Sequence, residues 1–73
     1  MTAARILLVD AHEIMREGLR LLLHNQPEFQ VVGDAFETET AWAAAVKLEP
    51  DLVILDLELP GAGGLALVRR LRQ

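Results

Sequence analysis

Three short apolar runs, separated by longer segments of helical periodicity, organise this chain. The first, Ile6-Leu7-Leu8-Val9, has no polar alternation. A strand covered on both faces reads this way, as in a parallel sheet, and a strand is predicted over Arg5–Asp10. Residues 12–25 carry Met15, Leu19, Leu22 and Leu23 at three- and four-residue spacing. That spacing predicts an amphipathic helix with those four side chains in the core. Arg16, Glu17 and Arg20 are expected on its opposite side, and Asn25-Gln26-Pro27 ends it. Phe29–Gly33 reads as a second, shorter strand.

Glu37-Thr38 opens a second helix, with Thr38 as the expected N-cap. Over residues 39–48, Ala41, Ala44, Ala45 and Leu48 share a face of mostly small side chains, suited to close packing on a sheet. Pro50 stops this helix, and Asp51–Asp56 is the third strand. Gly61, Gly63 and Gly64 mark a turn, after which Leu65, Val68 and Leu71 give the apolar face of a last helix.

The order is β-α-β-α-β-α. Such alternation places the chain in the α/β class, with a parallel sheet and right-handed crossovers. A hydrophobic content of 52% argues against disorder. With only 73 residues, though, a chain of this size buries roughly 60% of its unfolded surface, which makes its core marginal. No cysteine is present to add a disulfide, which suits a reducing cytoplasm. No apolar stretch reaches the length of about 20 residues that a membrane span needs. The first residues run directly into a strand without a signal-peptide layout. A cytoplasmic location with no membrane partner is the expectation.

The net charge of −4 gives no general affinity for nucleic acid or anionic membrane. Every acid lies at or before Glu58, while Arg69, Arg70 and Arg72 crowd the end. Cations there favour a helix C-terminus; a nucleic-acid patch is the other reading.

The chemistry lies in two acids that end strands, Asp10 and Asp56. In a flavodoxin-like sheet the strand order is 2-1-3-4-5, so the first and third strands are neighbours about 4.8 Å apart. Both acids then sit at carboxyl ends, at the switch point where such sheets bind ligands. Two carboxylates that close repel unless a cation lies between them, and Mg2+ accepts such a pair together with waters and phosphate oxygens. A carboxylate beside Mg2+ can attack phosphorus and become an aspartyl phosphate, because the metal neutralises charge on the transferring group. Asp56, on the central strand and followed by a tight turn, is the better nucleophile. From spacing alone, a pair of solvated strand-end acids explains the pattern equally well.

The segment Ile6-Leu7-Leu8-Val9-Asp10-Ala11-His12-Glu13, with Arg16-Glu17-Gly18-Leu19 after it, resembles the start of a bacterial response-regulator receiver domain. Asp51-Leu52-Val53-Ile54-Leu55-Asp56-Leu57-Glu58-Leu59-Pro60-Gly61 resembles its phospho-acceptor strand and loop. Val31-Val32-Gly33-Asp34-Ala35 and the Leu65–Leu71 helix are similar to the NarL/LuxR-type transcriptional regulators. The resemblance implies a CheY-like receiver fold in which Asp56 accepts a phosphoryl group from a histidine kinase. It implies that Asp10, Asp56 and the backbone carbonyl of Glu58 hold Mg2+, and that the Glu58 side chain tunes hydrolysis.

Two departures bear on this. A second acid usually follows the first and is commonly the direct metal ligand, yet Ala11 stands there and offers no ligand atom. Glu13 is nearby but begins a helix. Gly63 replaces the usual aspartate before the last helix, a change that an N-cap tolerates. The family domain has five β-α units and this chain has three. The expectation is a partial receiver over residues 1–73, without the last two units or the C-terminal helix-turn-helix through which DNA is bound. The third strand would then be an edge, and association of two copies through it is expected.

The alternative to phosphoryl acceptance is a degenerate receiver that works by protein contacts alone. An enzymatic reading is set aside. Asp56-Leu57-Glu58 only partly resembles the Asp-x-Asp of aspartate-nucleophile phosphatases, and Asp10-Ala11-His12-Glu13 is no glycine-rich dinucleotide loop. Among the remaining residues, His12 is read as a polar residue of a first helical turn, with a supporting or phospho-donor role as the alternative. His24 is expected to be exposed, Trp42 to pack or to be partly exposed, and Arg5 to be solvated.

Overall fold

In the computed structural model, which describes residues 3–72, the middle of the sheet is β1 (Ala4–Val9). Parallel neighbours flank it, β2 (Phe29–Ala35) on one side and β3 (Leu52–Leu55) on the other. Ile6, Leu7 and Leu8 are 0% exposed and Val9 is 1% exposed. This is why the run lacks polar alternation: both faces of β1 are covered. Each such side chain contributes about 1.5–3 kcal/mol by its burial.

Alternation divides β1 between two layers. Leu7 and Val9 join Ala35, Ala41, Leu59 and Leu67 in the main core, under α2 (Thr38–Leu48) and α3 (Gly64–Leu71). The other face carries α1 (Glu13–His24), which lies chiefly along β2. The sheet order β2-β1-β3 is that of the flavodoxin-like fold expected from the sequence. β2 continues two residues past Gly33, because Asp34 and Ala35 stay paired with Leu8 and Val9 after a slip in register at Ile6/Leu7.

Several expectations need correction. No residue of α1 is buried. Met15 is 53% exposed and Leu22 is 70% exposed, while Leu19 and Leu23 are half-buried. The helix is seated against β2 rather than over the middle of the sheet, so its inward sector is rotated to Arg16, Leu19, Arg20 and Leu23. Arg16 and Arg20 therefore do not face away: both pair with Asp34 of β2, at 3.2 and 3.1 Å. Arg5 is not free in solvent. Its guanidinium donates to the Glu49 carbonyl at 3.0 Å, and its backbone N–H donates to the Asp51 carboxylate at 2.8 Å.

Thr38 is not the cap of α2. Glu37 takes that position, and its carboxylate accepts from the Thr40 N–H. Thr38 is buried instead, and its hydroxyl donates to the Pro60 carbonyl at 3.0 Å, tying α2 to the loop after β3. In α3 the anchor is Leu67, 0% exposed, whereas Leu65 is 59% exposed. The helix start explains the rotation. Gly64 donates to the Leu57 carbonyl at 3.0 Å, and a Cβ at Gly64 would overlap the Leu57 backbone. Gly63 before it has φ 91°, a conformation that only glycine adopts without strain. This close seat turns Gly64, Leu67 and Leu71 inward together.

β3 pairs only with β1 among the described residues. Its outer edge is free there, and Leu52 is 47% exposed.

Leu67→Ala is expected to lower stability by about 2–5 kcal/mol through loss of a filled core position. Leu65→Ala is expected to change it by about 0.5 kcal/mol or less. Urea denaturation of both variants checks this, and equal losses would contradict the orientation of α3.

Candidate functional site

The sheet's own ladder brings the two acids together. One residue past β1, the Asp10 N–H donates to the Ala35 carbonyl at 3.0 Å. One residue past β3, the Asp56 N–H donates to the Val9 carbonyl at 2.9 Å. Each acid is thus held by one more rung of pairing, and both side chains emerge at the carboxyl edge of the sheet. The two differ in access: the Asp10 side chain is 12% exposed and that of Asp56 is 24% exposed.

His12 lies between them. Its Nδ1 is 2.9 Å from Asp10 Oδ1 and 3.8 Å from Asp56 Oδ2. Its backbone N–H also donates to Asp10 Oδ1, at 2.8 Å. One donor atom from each of Asp10, His12 and Asp56 falls within 4.8 Å of the other two. Such a group is able to hold a cation. Glu58 joins through the turn after β3, where its N–H donates to Asp56 Oδ1 at 3.0 Å. Asp10, His12, Asp56 and Glu58 line a cleft of about 420 Å3, together with Met15, Leu19 and Ile54.

Burial pushes the Asp10 carboxyl up, but the His12 backbone N–H and imidazole, helped by the Arg16 charge, outweigh it and hold the group below its ordinary value of 3.8. Arg16 reaches the same residue directly, donating to the Asp10 carbonyl at 2.7 Å.

Asp10, Asp56 and Glu58 therefore line one cleft. Ala11 is half-buried beside them and carries no ligand atom. Glu13 begins α1, is exposed, and lies outside the metal-binding group found among the described residues. The contributors underrated from sequence are His12 and Arg16. The spacing Asp10-x-His12 held the signal for His12, since an aspartate that accepts from the N–H two residues on folds that residue back towards itself. Trp42 packs as expected, with the Arg70 guanidinium 4.2 Å over its ring.

The family model "Response regulator receiver domain" matches residues 6–73. The nitrate/nitrite response regulator protein NarL of Escherichia coli K12 is 41% identical over 70 residues, covering 96% of this chain and 32% of that protein. The chain thus spans about a third of the length of the curated relatives it matches. A two-component response regulator of the LuxR family from Aurantimonas superposes with TM-score 0.90 at 44% identity, covering 97% of this chain and 51% of that one. The signal receiver domain of a response regulator from Mycobacterium tuberculosis gives TM-score 0.94 at 28% identity, covering 99% and 58%. No helix of the described residues is long and apolar enough to cross a membrane.

Because the folded-state value of Asp10 is depressed, its contribution to stability is present above about pH 3.8 and is lost as pH falls through the lower folded value. His12→Ala removes the imidazole and leaves the backbone N–H. In that variant Asp10 is expected to titrate at a higher pH, followed by the carboxyl-carbon chemical shift. A value unchanged or lower than in the parent chain would contradict the role given to the ring.

Proposed function

Because this chain belongs to the response regulator receiver domain family, in its NarL/LuxR-type branch, we propose that Asp56 accepts a phosphoryl group from a histidine kinase. The observation that carries this reading is the placing of Asp56 beside Asp10 at one cleft, with Asp56 the more open of the two. A carboxylate oxygen of Asp56 attacks the phosphorus in line. A new P–O bond forms as the P–N bond to the kinase histidine breaks, and the leaving imidazole takes up a proton. Glu58 stands at the same mouth and influences how long the acyl phosphate survives.

The donor set fits a dication in part. Two carboxylates at adjacent strand ends need a positive partner, and Asp10, Asp56 and the Glu58 backbone carbonyl are the groups that would hold Mg2+. When bound, the ion offsets charge on the phosphoryl oxygens. Ala11 leaves this set one carboxylate short of the family pattern.

In the intact regulator we place a cytoplasmic switch whose phosphorylation state controls transcription through a DNA-binding domain lying beyond this partial receiver. The name of one relative, the DNA-binding transcriptional activator DevR/DosR of Mycobacterium tuberculosis, supports this output. The chain acts as a signalling module rather than as an enzyme with turnover. A second reading is favoured by Ala11 and by the imidazole already bonded to Asp10: a degenerate receiver that works by protein contacts. The free outer edge of β3 and the exposed Leu52 support association of two copies through that strand.

Incubation with acetyl phosphate and Mg2+, read by intact mass, is expected to add one phosphoryl group to the parent chain and none to Asp56→Asn. An adduct on Ala11→Asp alone would favour the degenerate reading, and an adduct on Asp56→Asn would sink the assignment of the acceptor. Sedimentation at rising concentration is expected to show dimers that Val53→Pro weakens, because proline removes an N–H from the edge strand. A monomer at all concentrations would refute pairing through β3.

A further inference from the structure

Among the described residues, the His12 imidazole is the ligand-bearing side chain at the cleft that phosphoryl acceptance leaves unused. We propose that the cation site of this chain is a mixed nitrogen–oxygen site, in which His12 Nδ1 joins Asp10 and Asp56 and turns the preference from Mg2+ to a later first-row transition dication such as Zn2+. The inference rests on the reading that Asp10 and Asp56 hold a cation, and it specifies which cation.

The donor chemistry points this way first. Mg2+ takes oxygen ligands, keeps several waters and gains little from an imidazole. Imidazole nitrogen suits the later first-row dications, whose affinities also rise along the series. Ala11 supplies no oxygen to tip the set back towards a hard ion.

The geometry agrees. With metal–ligand bonds of about 2.1 Å, neighbouring ligands stand about 3 Å apart at right angles and about 3.4 Å apart in a tetrahedron. His12 Nδ1 lies 2.9 Å from Asp10 Oδ1 and 3.8 Å from Asp56 Oδ2, separations that bracket those values. All three donor atoms lie within 4.8 Å of one another, and side-chain rotation has to close the widest pair. The ring is positioned from its own backbone, because the His12 N–H binds the same Asp10 oxygen that the ring approaches. A metal at Nδ1 takes the neutral imidazole with its one proton on the other ring nitrogen, which water can solvate because the side chain is 73% exposed. The cleft of about 420 Å3 leaves room on the open side for waters or a phosphoryl oxygen to complete the shell.

The test is metal binding to the whole chain, with Zn2+, Mn2+ and Mg2+ titrated separately by calorimetry. The parent chain is expected to bind Zn2+ about tenfold or more tightly than Mg2+. His12→Ala and His12→Gln are expected to lose about tenfold in Zn2+ affinity and to change little towards Mg2+. Circular dichroism verifies that both variants remain folded. Pulsed electron paramagnetic resonance of bound Mn2+ is expected to show nitrogen hyperfine coupling that disappears in His12→Ala. Zn2+ affinity indifferent to His12, or bound Mn2+ without nitrogen coupling, overturns the inference and leaves the acid pair standing. Asp10→Asn and Asp56→Asn report on the underlying reading: metal binding untouched by either removes the acid pair as well.

Discussion

The molecule depends on the hydrogen-bonded ladder that runs along both edges of β1. That strand has neighbours on each side and a helical layer over each face, so its four consecutive apolar side chains are fully shielded. The same ladder does not stop where the strands stop. Its last rungs, from Asp10 to the Ala35 carbonyl and from Asp56 to the Val9 carbonyl, fix the backbone of both acids. The site is therefore a by-product of sheet pairing: nothing further is needed to bring two carboxylates to the same edge. What it does need is an offset to their repulsion, which the Arg16 guanidinium supplies in part by its charge and His12 by hydrogen bonds to Asp10.

The walls of the cleft are unequal. The loop after β3 is tied at three points, by Glu58 to the Asp56 carboxylate, by Gly64 to the Leu57 carbonyl and by Thr38 to the Pro60 carbonyl. Leu59 in that loop is 6% exposed, so the wall behind Asp56 is part of the core. The opposite wall is the start of α1, a helix with no buried residue. Geometry at Asp56 is set by packing, whereas geometry at His12 is set by a few hydrogen bonds. A bound ion or phosphoryl group would therefore draw the α1 side towards the β3 side rather than the reverse.

Periods and punctuation in the sequence were enough to find the six elements, because fully buried strands and Pro- or Gly-bounded helices leave local signals. Asp10 and Asp56 were legible for the same reason, each closing an apolar run. Side-chain direction was less legible. The stripe Met15-Leu19-Leu22-Leu23 is periodic, yet α1 is seated along β2, and that seat leaves Met15 and Leu22 exposed. Leu65 and Leu67 both belong to an apolar helix, and only the close seat of Gly64 on Leu57 decides between them. Thr38 has the chemistry of a cap, but its hydroxyl was taken by a carbonyl 22 residues away. In each case a long-range contact overrode a local preference that was itself sound.

His12 belongs to the same class of residue and matters more. A polar residue ahead of a helix is ordinarily solvated, and no periodicity distinguishes this one. What distinguishes it is Asp10, whose carboxylate accepts the His12 N–H and so returns the ring to the acid pair. Had a second carboxylate stood at position 11, it would have added an oxygen donor and weighted the site towards a hard cation. With Ala11 there, the side-chain donor that joins the two acids among the described residues is a nitrogen. The two positions act on one quantity, the ratio of oxygen to nitrogen around a cation, and that ratio rather than the bare count of acids determines which metal this edge of the sheet is suited to hold.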